Sequence, residues 1–398
     1  MTRHLLKLVW NRKRTNALIV AEIFISLLVI FAVLAGAVNF ATNWRRPLGY
    51  DYHDVWNIRA DLEHEENPEK NPHMHESMMH VLHEAQSFPE VVAAAGSNTP
   101  AYGFSTDSNG TDMNGHYVDL IVDDVTDDFT RTMQLHVLRG RFFTREDDAA
   151  QYRPAVVDEN TARSLFGTLD VVGRKITWKD TPEDTLRIVG VVSGYRKAGE
   201  TSDPVNMVFR RVAPDHKFGG LIRNIIVRVR PGTSAAFEET LLNRLQAAAP
   251  DMSFRLQHMD RMRRDALRLY LAPVVLLSVI ALFLISMVTL GLTGVLWQNV
   301  TRRTREIGLR RATGATGSRV HRQILGEVLL LASIACAIGV VVILQLPILG
   351  AFRVVTPASF TTGLIGALAA IYALTLLCGL YPSWLASRLQ PADALRYE

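Results

Sequence analysis

Four histidines and three methionines crowd one short stretch of the chain: His73, His75, His80 and His83, with Met74, Met78 and Met79. Imidazole with thioether suits copper, and imidazole beside Glu76 or Glu84 suits zinc. His80 and His83 are three residues apart, which puts them on one face of a helix. No spacing in the group is diagnostic, so these four histidines are weak candidates and no metal is favoured. Ordinary surface and core histidines give the same pattern. Asp123, Asp124, Asp127 and Asp128 make an acidic patch without the ordered calcium-loop spacing, and it reads as a solvated loop.

Other chemistry is missing from these 398 residues. No GxxxxGK[ST] phosphate loop, HExxH pair or GxSxG elbow occurs. Serine, histidine and aspartate are all present, but a triad is a geometry and their presence does not make one. The chain is expected to be no enzyme by itself and to carry no cofactor of its own. A formal charge of +4 with basic residues clustered beside apolar runs is not a nucleic-acid signal.

The densest basic stretch is Asn299–Gln323, where Arg302, Arg303, Arg305, Arg310, Arg311, Arg319 and Arg322 face one acid, Glu306. Lying between two apolar runs, it reads as a cytoplasmic loop. Ile307, Leu309, Ala312 and Ala315 give it helical character, although their spacing is imperfect for one stripe. Two uses remain open at this level. The arginines either only anchor two spans or also dock a cytoplasmic partner.

The elements that hold this loop are four apolar blocks, residues 17–38, 269–298, 324–349 and 360–381. Each is about 20 residues or longer, enough to cross the hydrocarbon core as a helix. The first has no small-residue cleavage pattern and reads as a retained span rather than a removed signal peptide. Glu22, inside it, is expected to be paired or hydrated locally, or to serve assembly or gating. Residues 1–16 form a basic amphipathic cytoplasmic segment, residues 299–323 the cytoplasmic loop, 350–359 a short outer turn and 382–398 a cytoplasmic tail. Basic flanks then put both termini of a multi-pass membrane protein in the cytoplasm, with residues 39–268 outside. That region has no cysteine, since Cys336 and Cys378 fall in spans, so it must stand on an apolar core.

Strand–helix–strand patterns recur in the outer region, around Val55–Ala95 and Asn224–Leu256. Between them, Ala155–Asp158 and Leu186–Val192 read as strands and Glu159–Phe166 as a helix closed by Gly167. From about Met259 a charged helix runs without a break into the second span, and such a stalk can carry displacement across the membrane surface.

Thr304-Arg305-Glu306-Ile307-Gly308, followed by Arg311-Ala312-Thr313-Gly314-Ala315, resembles the permease signature of the MacB/FtsX/LolC group of ABC transporters. The run Pro382–Arg396, with Gly140-Arg141-Phe142-Phe143 and Ser164-Leu165-Phe166-Gly167, is similar to further motifs of that group. The resemblance covers essentially the whole chain. It implies an α+β membrane protein with four transmembrane helices in a one-plus-three arrangement. The large periplasmic mixed α/β region would consist of porter-like parts (about 55–105 and 224–256), an inserted subdomain (about 109–208) and a stalk from about 259.

The resemblance further implies cytoplasmic ABC ATP-binding subunits that hold ATP and Mg, and a second permease making a homodimer or heterodimer. Arg305, Glu306, Ile307, Gly308, Arg310, Arg311 and Gly314 would couple to those subunits. Unlike MacB itself, these residues include no fused ATPase, which is then expected on a separate polypeptide. The leading expectation is mechanotransmission that expels a peptide, antibiotic or other envelope substrate through a periplasmic adaptor and outer-membrane channel. Lipoprotein release, or regulation of a cell-wall hydrolase or sensor kinase, are the alternatives.

Overall fold

The computed structural model describes residues 13–61, 72–103, 107–113, 116–178, 184–215, 219–220, 222–302, 316–349 and 356–388. Its contacts fall into two units, Asn43–Leu269 and the combination of Met1–Thr42 with Tyr270–Glu398.

The second of these is helical. It draws on α1 (Lys13–Trp44), α6 (Met259–Arg302), α7 (Gly317–Gln345) and α8 (Pro357–Arg388). Among the described residues, four segments are long and apolar enough to cross a membrane: Ala17–Trp44, Met259–Gly294, Leu325–Gln345 and Pro357–Leu380. One core joins them, with Ile23, Leu27 and Phe31 of α1 against Val288, Ala332, Ala335 and Ile371. Small residues let the backbones approach, as expected where no water drives association. A Cβ on Gly363 would lie 2.7 Å from Ala35 Cα, so α8 and α1 touch there with no room for a side chain. Glu22 is half-buried opposite Gly291, where an added Cβ would come within 2.9 Å of its Oε2. Leu282, Phe283, Leu290 and Ile365 stay exposed, as lipid-facing side chains should.

The unit Asn43–Leu269 is an eleven-stranded sheet flanked by helices. Its strands are β1 (Val55–Asp61), β2 (Val91–Ser97), β3 (Asp107–Met113), β4 (His116–Val125), β5 (Val137–Gly140), β6 (Arg153–Asp158), β7 (Lys175–Thr177), β8 (Thr185–Val192), β9 (Met207–Arg211), β10 (Asn224–Val229) and β11 (Ser253–His258). The helices are α2 (Pro72–Gln86), α3 (Phe129–Met133), α4 (Glu159–Phe166) and α5 (Ala235–Ala248). The order is β11-β1-β10-β2-β4-β9-β6-β8-β5, with β3 on β4 and β7 on β8.

Two halves are legible in that order. The strands β11-β1-β10-β2 are antiparallel throughout, the interleaving of two strand–helix–strand units known from ferredoxin-like folds. Met78, Val81, Leu82 and Ala85 recur at helical spacing on α2 and pack with Phe237, Leu241 and Leu245 of α5 over Trp56, Ile58, Ile225 and Val227. The remaining strands form a mixed sheet in which β6–α4–β8 is a parallel crossover. Asp158 caps α4 by accepting from Thr161 N at 2.9 Å, and Gly167 closes it with φ +69°. Among the described residues the β2–β4 ladder has one registered pair, Ser97 with Val125, and side-chain and loop hydrogen bonds such as Gly96 N to Thr126 Oγ1 complete the join.

The acidic patch departs from its reading as a solvated loop. Asp123 and Asp124 lie on β4 and are 0% and 3% exposed. Arg210 of the neighbouring β9 binds Asp124 through two hydrogen bonds of 2.7 and 2.9 Å, which replaces the lost water. The polar, glycine-bearing stretch before it is strand as well. Val118, Leu120 and Val122 drive β4 into the core, and β3 pairs along it with the Tyr117 ring over Gly110.

Candidate functional site

The turn after β8, Ser193–Ser202, carries several buried polar contacts that link segments distant in sequence. It begins with a close backbone approach. Gly49 has φ +84°, and a Cβ there would lie 2.0 Å from Gly194 O, so only glycine fits. Arg196 N then donates to Leu48 O at 3.0 Å, and Tyr50 Oη donates to Arg196 O at 3.2 Å.

The Arg196 guanidinium, 2% exposed, turns toward the end of α1. Nη1 donates to Asn43 O at 2.6 Å and Arg46 O at 3.2 Å, while Nη2 donates to Glu200 O at 3.0 Å and Ser202 O at 2.5 Å. A cation on the last carbonyls of a helix satisfies acceptors that have no partner within it and complements the helix dipole. Asn43 Nδ2 adds a donation to Asp203 Oδ1 at 2.8 Å. The turn is therefore fastened to the last turn of α1 at two points.

Four residues on, Glu200 faces the other way. Its Oε1 accepts from Arg263 Nε at 2.6 Å, and Tyr102 Oη reaches its Oε2 at 3.4 Å. Arg263 belongs to the first turns of α6 and lies over the Tyr52 and Trp44 rings, 4.9 and 5.6 Å from their centroids. The Glu200 carboxylate matches its charge where burial removes water. One short turn thus clasps both the end of α1 and the start of α6.

Beneath the clasp, Tyr50, Tyr102 and Tyr195 form an aromatic group, with Tyr50 and Tyr195 centroids 4.9 Å apart. Asp123 sits next to it, at the seam between the two sheet halves. It accepts from Ser97 Oγ at 2.9 Å and from the N–H groups of Asn98 and Thr99 at 3.0 and 2.9 Å. Burial pushes its pKa up to about 7, against the pull of those hydrogen bonds and of the Lys197 ammonium.

The candidates read from sequence fall elsewhere. Arg305, Glu306, Ile307, Gly308, Arg310, Arg311 and Gly314 lie outside the described residues. Among the described residues, no three His, Cys, Asp or Glu side chains come together as a metal site. His75 is buried with Nε2 3.1 Å from Pro214 O, whereas His73, His80 and His83 are exposed. Sequence reasoning missed Arg196, Glu200 and Arg263. The local signal for Arg196 and Glu200 was a charged, glycine-bearing break between two strands, Arg196-Lys197-Ala198-Gly199-Glu200.

Residues 16–243 match the MacB-like periplasmic core domain, and residues 278–391 match the FtsX-like permease C-terminal. The chain belongs to the MacB/FtsX-like family of ABC-transporter permeases. Among similar proteins is the macrolide export ATP-binding/permease protein MacB of Shewanella sp. (strain ANA-3). It is 28% identical over 318 residues, 76% of this chain and 48% of its own length. The protein of the same name from Burkholderia cenocepacia (strain HI2424) is 31% identical over 286 residues, 70% of this chain and 41% of that one. The permease thus spans about half the length, or less, of the curated relatives it matches. The solved periplasmic region of MacB from Actinobacillus actinomycetemcomitans aligns at 14% identity with a TM-score of 0.39, over 55% of this chain and 94% of that one. Four long apolar helices and the match to a periplasmic core domain make this permease a multi-pass inner-membrane protein with a large mixed α/β periplasmic region.

Proposed function

We propose that this permease transmits the motion of cytoplasmic ABC ATP-binding subunits, which hold ATP and Mg, to its periplasmic unit. The segment carrying Arg305, Glu306, Ile307, Gly308, Arg310, Arg311 and Gly314 receives that motion, with both termini on the same cytoplasmic side. A second permease, identical or related, completes the complex. The periplasmic unit then drives a peptide, antibiotic or other envelope substrate toward an adaptor and an outer-membrane channel. The curated relatives named for macrolide export favour efflux as the use of the motion.

The observation that carries this reading is the clasp. Arg196 holds the Asn43 carbonyl in the last turn of α1, and Glu200 holds Arg263 of α6. A displacement of either helix therefore reaches the sheet through hydrogen bonds, without a slack linker to absorb it. The test is substrate export per ATP hydrolysed by the reconstituted complex carrying Glu200→Gln. ATP hydrolysis is expected to persist while export falls severalfold. Undiminished export per ATP would overturn the proposal.

A further inference from the structure

A cavity of about 690 Å³ opens in the periplasmic unit beside the clasp. Pro47, Leu48, Tyr50, Leu138 and Pro204 give it apolar wall, and polar and charged groups, among them Gln134, Asn160 and Ser193, complete the lining. The two carboxylates in that wall are already matched. Asp51 lies 2.7 Å from His53 Nδ1 and 3.5 Å from Arg228 Nη1, and Glu159 accepts two hydrogen bonds from Arg163 at 3.0 and 2.9 Å.

The two guanidiniums in the wall are not matched in this way. Arg196 gives its Nη groups to four backbone carbonyls, neutral acceptors that disperse its charge without cancelling it. Its Nε is buried with no hydrogen-bond partner. A buried donor left unpaired is costly, and burial together with the nearby Arg46 outweighs the pull of Glu200 and Asp203 on this cation. Arg46, half-buried, is the second cation of the wall. Among the described residues neither Arg46 nor Arg196 forms an ion pair. Two neighbouring cations in the wall favour one anionic group, and the apolar wall offers room for a body attached to that group.

We propose that the cavity binds an anionic amphiphile, with a carboxylate or phosphate head between Arg46 and Arg196 and an apolar body against Leu48, Leu138 and Pro204. Arg46 comes two residues after Trp44, where the first candidate span ends. The same head-and-tail chemistry belongs both to anionic membrane lipids and to amphiphilic solutes reaching the periplasmic face.

The test uses the full-length permease in phosphatidylcholine nanodiscs, with pyrene-labelled dodecanoate as the fluorescent probe. Saturable binding in excess of empty nanodiscs is expected, weakened roughly tenfold or more by Arg46→Glu, the scale of one lost charge-assisted contact. Arg45→Glu, on an exposed neighbour outside the cavity, is expected to bind as the parent does. No excess binding, or equal effects of the Arg46 and Arg45 variants, would overturn the proposal. So would displacement of the probe by inorganic phosphate alone at matching concentration, since the apolar body would then be irrelevant. Displacement by phosphatidylglycerol added to the disc supports the site with a membrane lipid as its source. Retained probe binding despite phosphatidylglycerol supports it with a soluble amphiphile.

Discussion

Glu200 and Arg263 are 63 residues apart in sequence and meet through a 2.6 Å hydrogen bond between carboxylate and guanidinium. Glu200 is 8% exposed at its side chain and Arg263 20%, so water screens the pair little. The same turn that offers Glu200 also holds the end of α1 through Arg196, and this double attachment organises the account of the permease.

Removing one member of a mostly buried pair leaves the other without its partner. Glu200→Gln is expected to destabilise the periplasmic unit by about 2–3 kcal/mol. The loss should be local. Hydrogen exchange should quicken in residues 259–269 and 196–203, while the β10 and β2 amides keep their protection.

The backbone approach at Gly49 gives a sharper steric test. Gly49→Ala must accommodate φ +84° and a contact with Gly194 O, whereas Gly232→Ala at φ +83° meets open space. The Gly232 variant is expected to lose about 1 kcal/mol from backbone strain alone, and the Gly49 variant at least twice that. Thermal unfolding of the two variants side by side measures the difference. Equal losses would mean that the close contact between the turn and residue 49 carries no energy.

Asp123 predicts a pH dependence. Its folded pKa, about 7, lies above the ordinary carboxylate value of 3.8. The folded state therefore binds the proton more tightly, and this group's contribution is fully present below about pH 4 and lost as pH rises through 7. Lys197 and Asp124 face it with opposite signs, and the Tyr195 ring lies nearby. Asp123→Asn mimics the protonated acid, because an amide can accept from Asn98 N and Thr99 N and donate to Ser97 Oγ. Relative to the parent, the variant should gain about 1 kcal/mol of stability between pH 6 and pH 7. Denaturant unfolding across that interval reads the gain, and parallel curves would contradict it.

How much of this was legible in sequence depends on the range of the interaction. The four apolar helices follow from runs long enough to span a bilayer, and α4 from a cap at Asp158 and a stop at Gly167 that sit within ten residues of one another. Those signals are local. Arg196 is 153 residues from Asn43, and nothing near Arg196 in the chain says which carbonyls it will meet. Asp123 and Asp124 misled for the same reason. Two adjacent acids suggest solvent until Arg210, 86 residues away, is brought beside one and Ser97 beside the other.

Charge reversal at the arginine-rich segment tests its proposed docking role. Arg310→Glu with Arg311→Glu is expected to weaken association with the ATP-binding subunits roughly tenfold or more, as buried interfacial charges do. Co-purification and coupled ATP hydrolysis report it, while the unfolding of the periplasmic unit stays unchanged. Unaltered association would remove those two residues from the docking role.

The central claim is that the clasp carries motion from the helices to the periplasmic sheet. A double-mutant cycle of Glu200→Gln and Arg263→Gln, read as export per ATP hydrolysed by the reconstituted complex, tests it most directly. Each single variant is expected to lower that ratio severalfold with ATP hydrolysis retained, and the double variant to do no more harm than either alone. Ratios that stay at the parent value, or losses that multiply as if the two residues acted independently, would contradict the account.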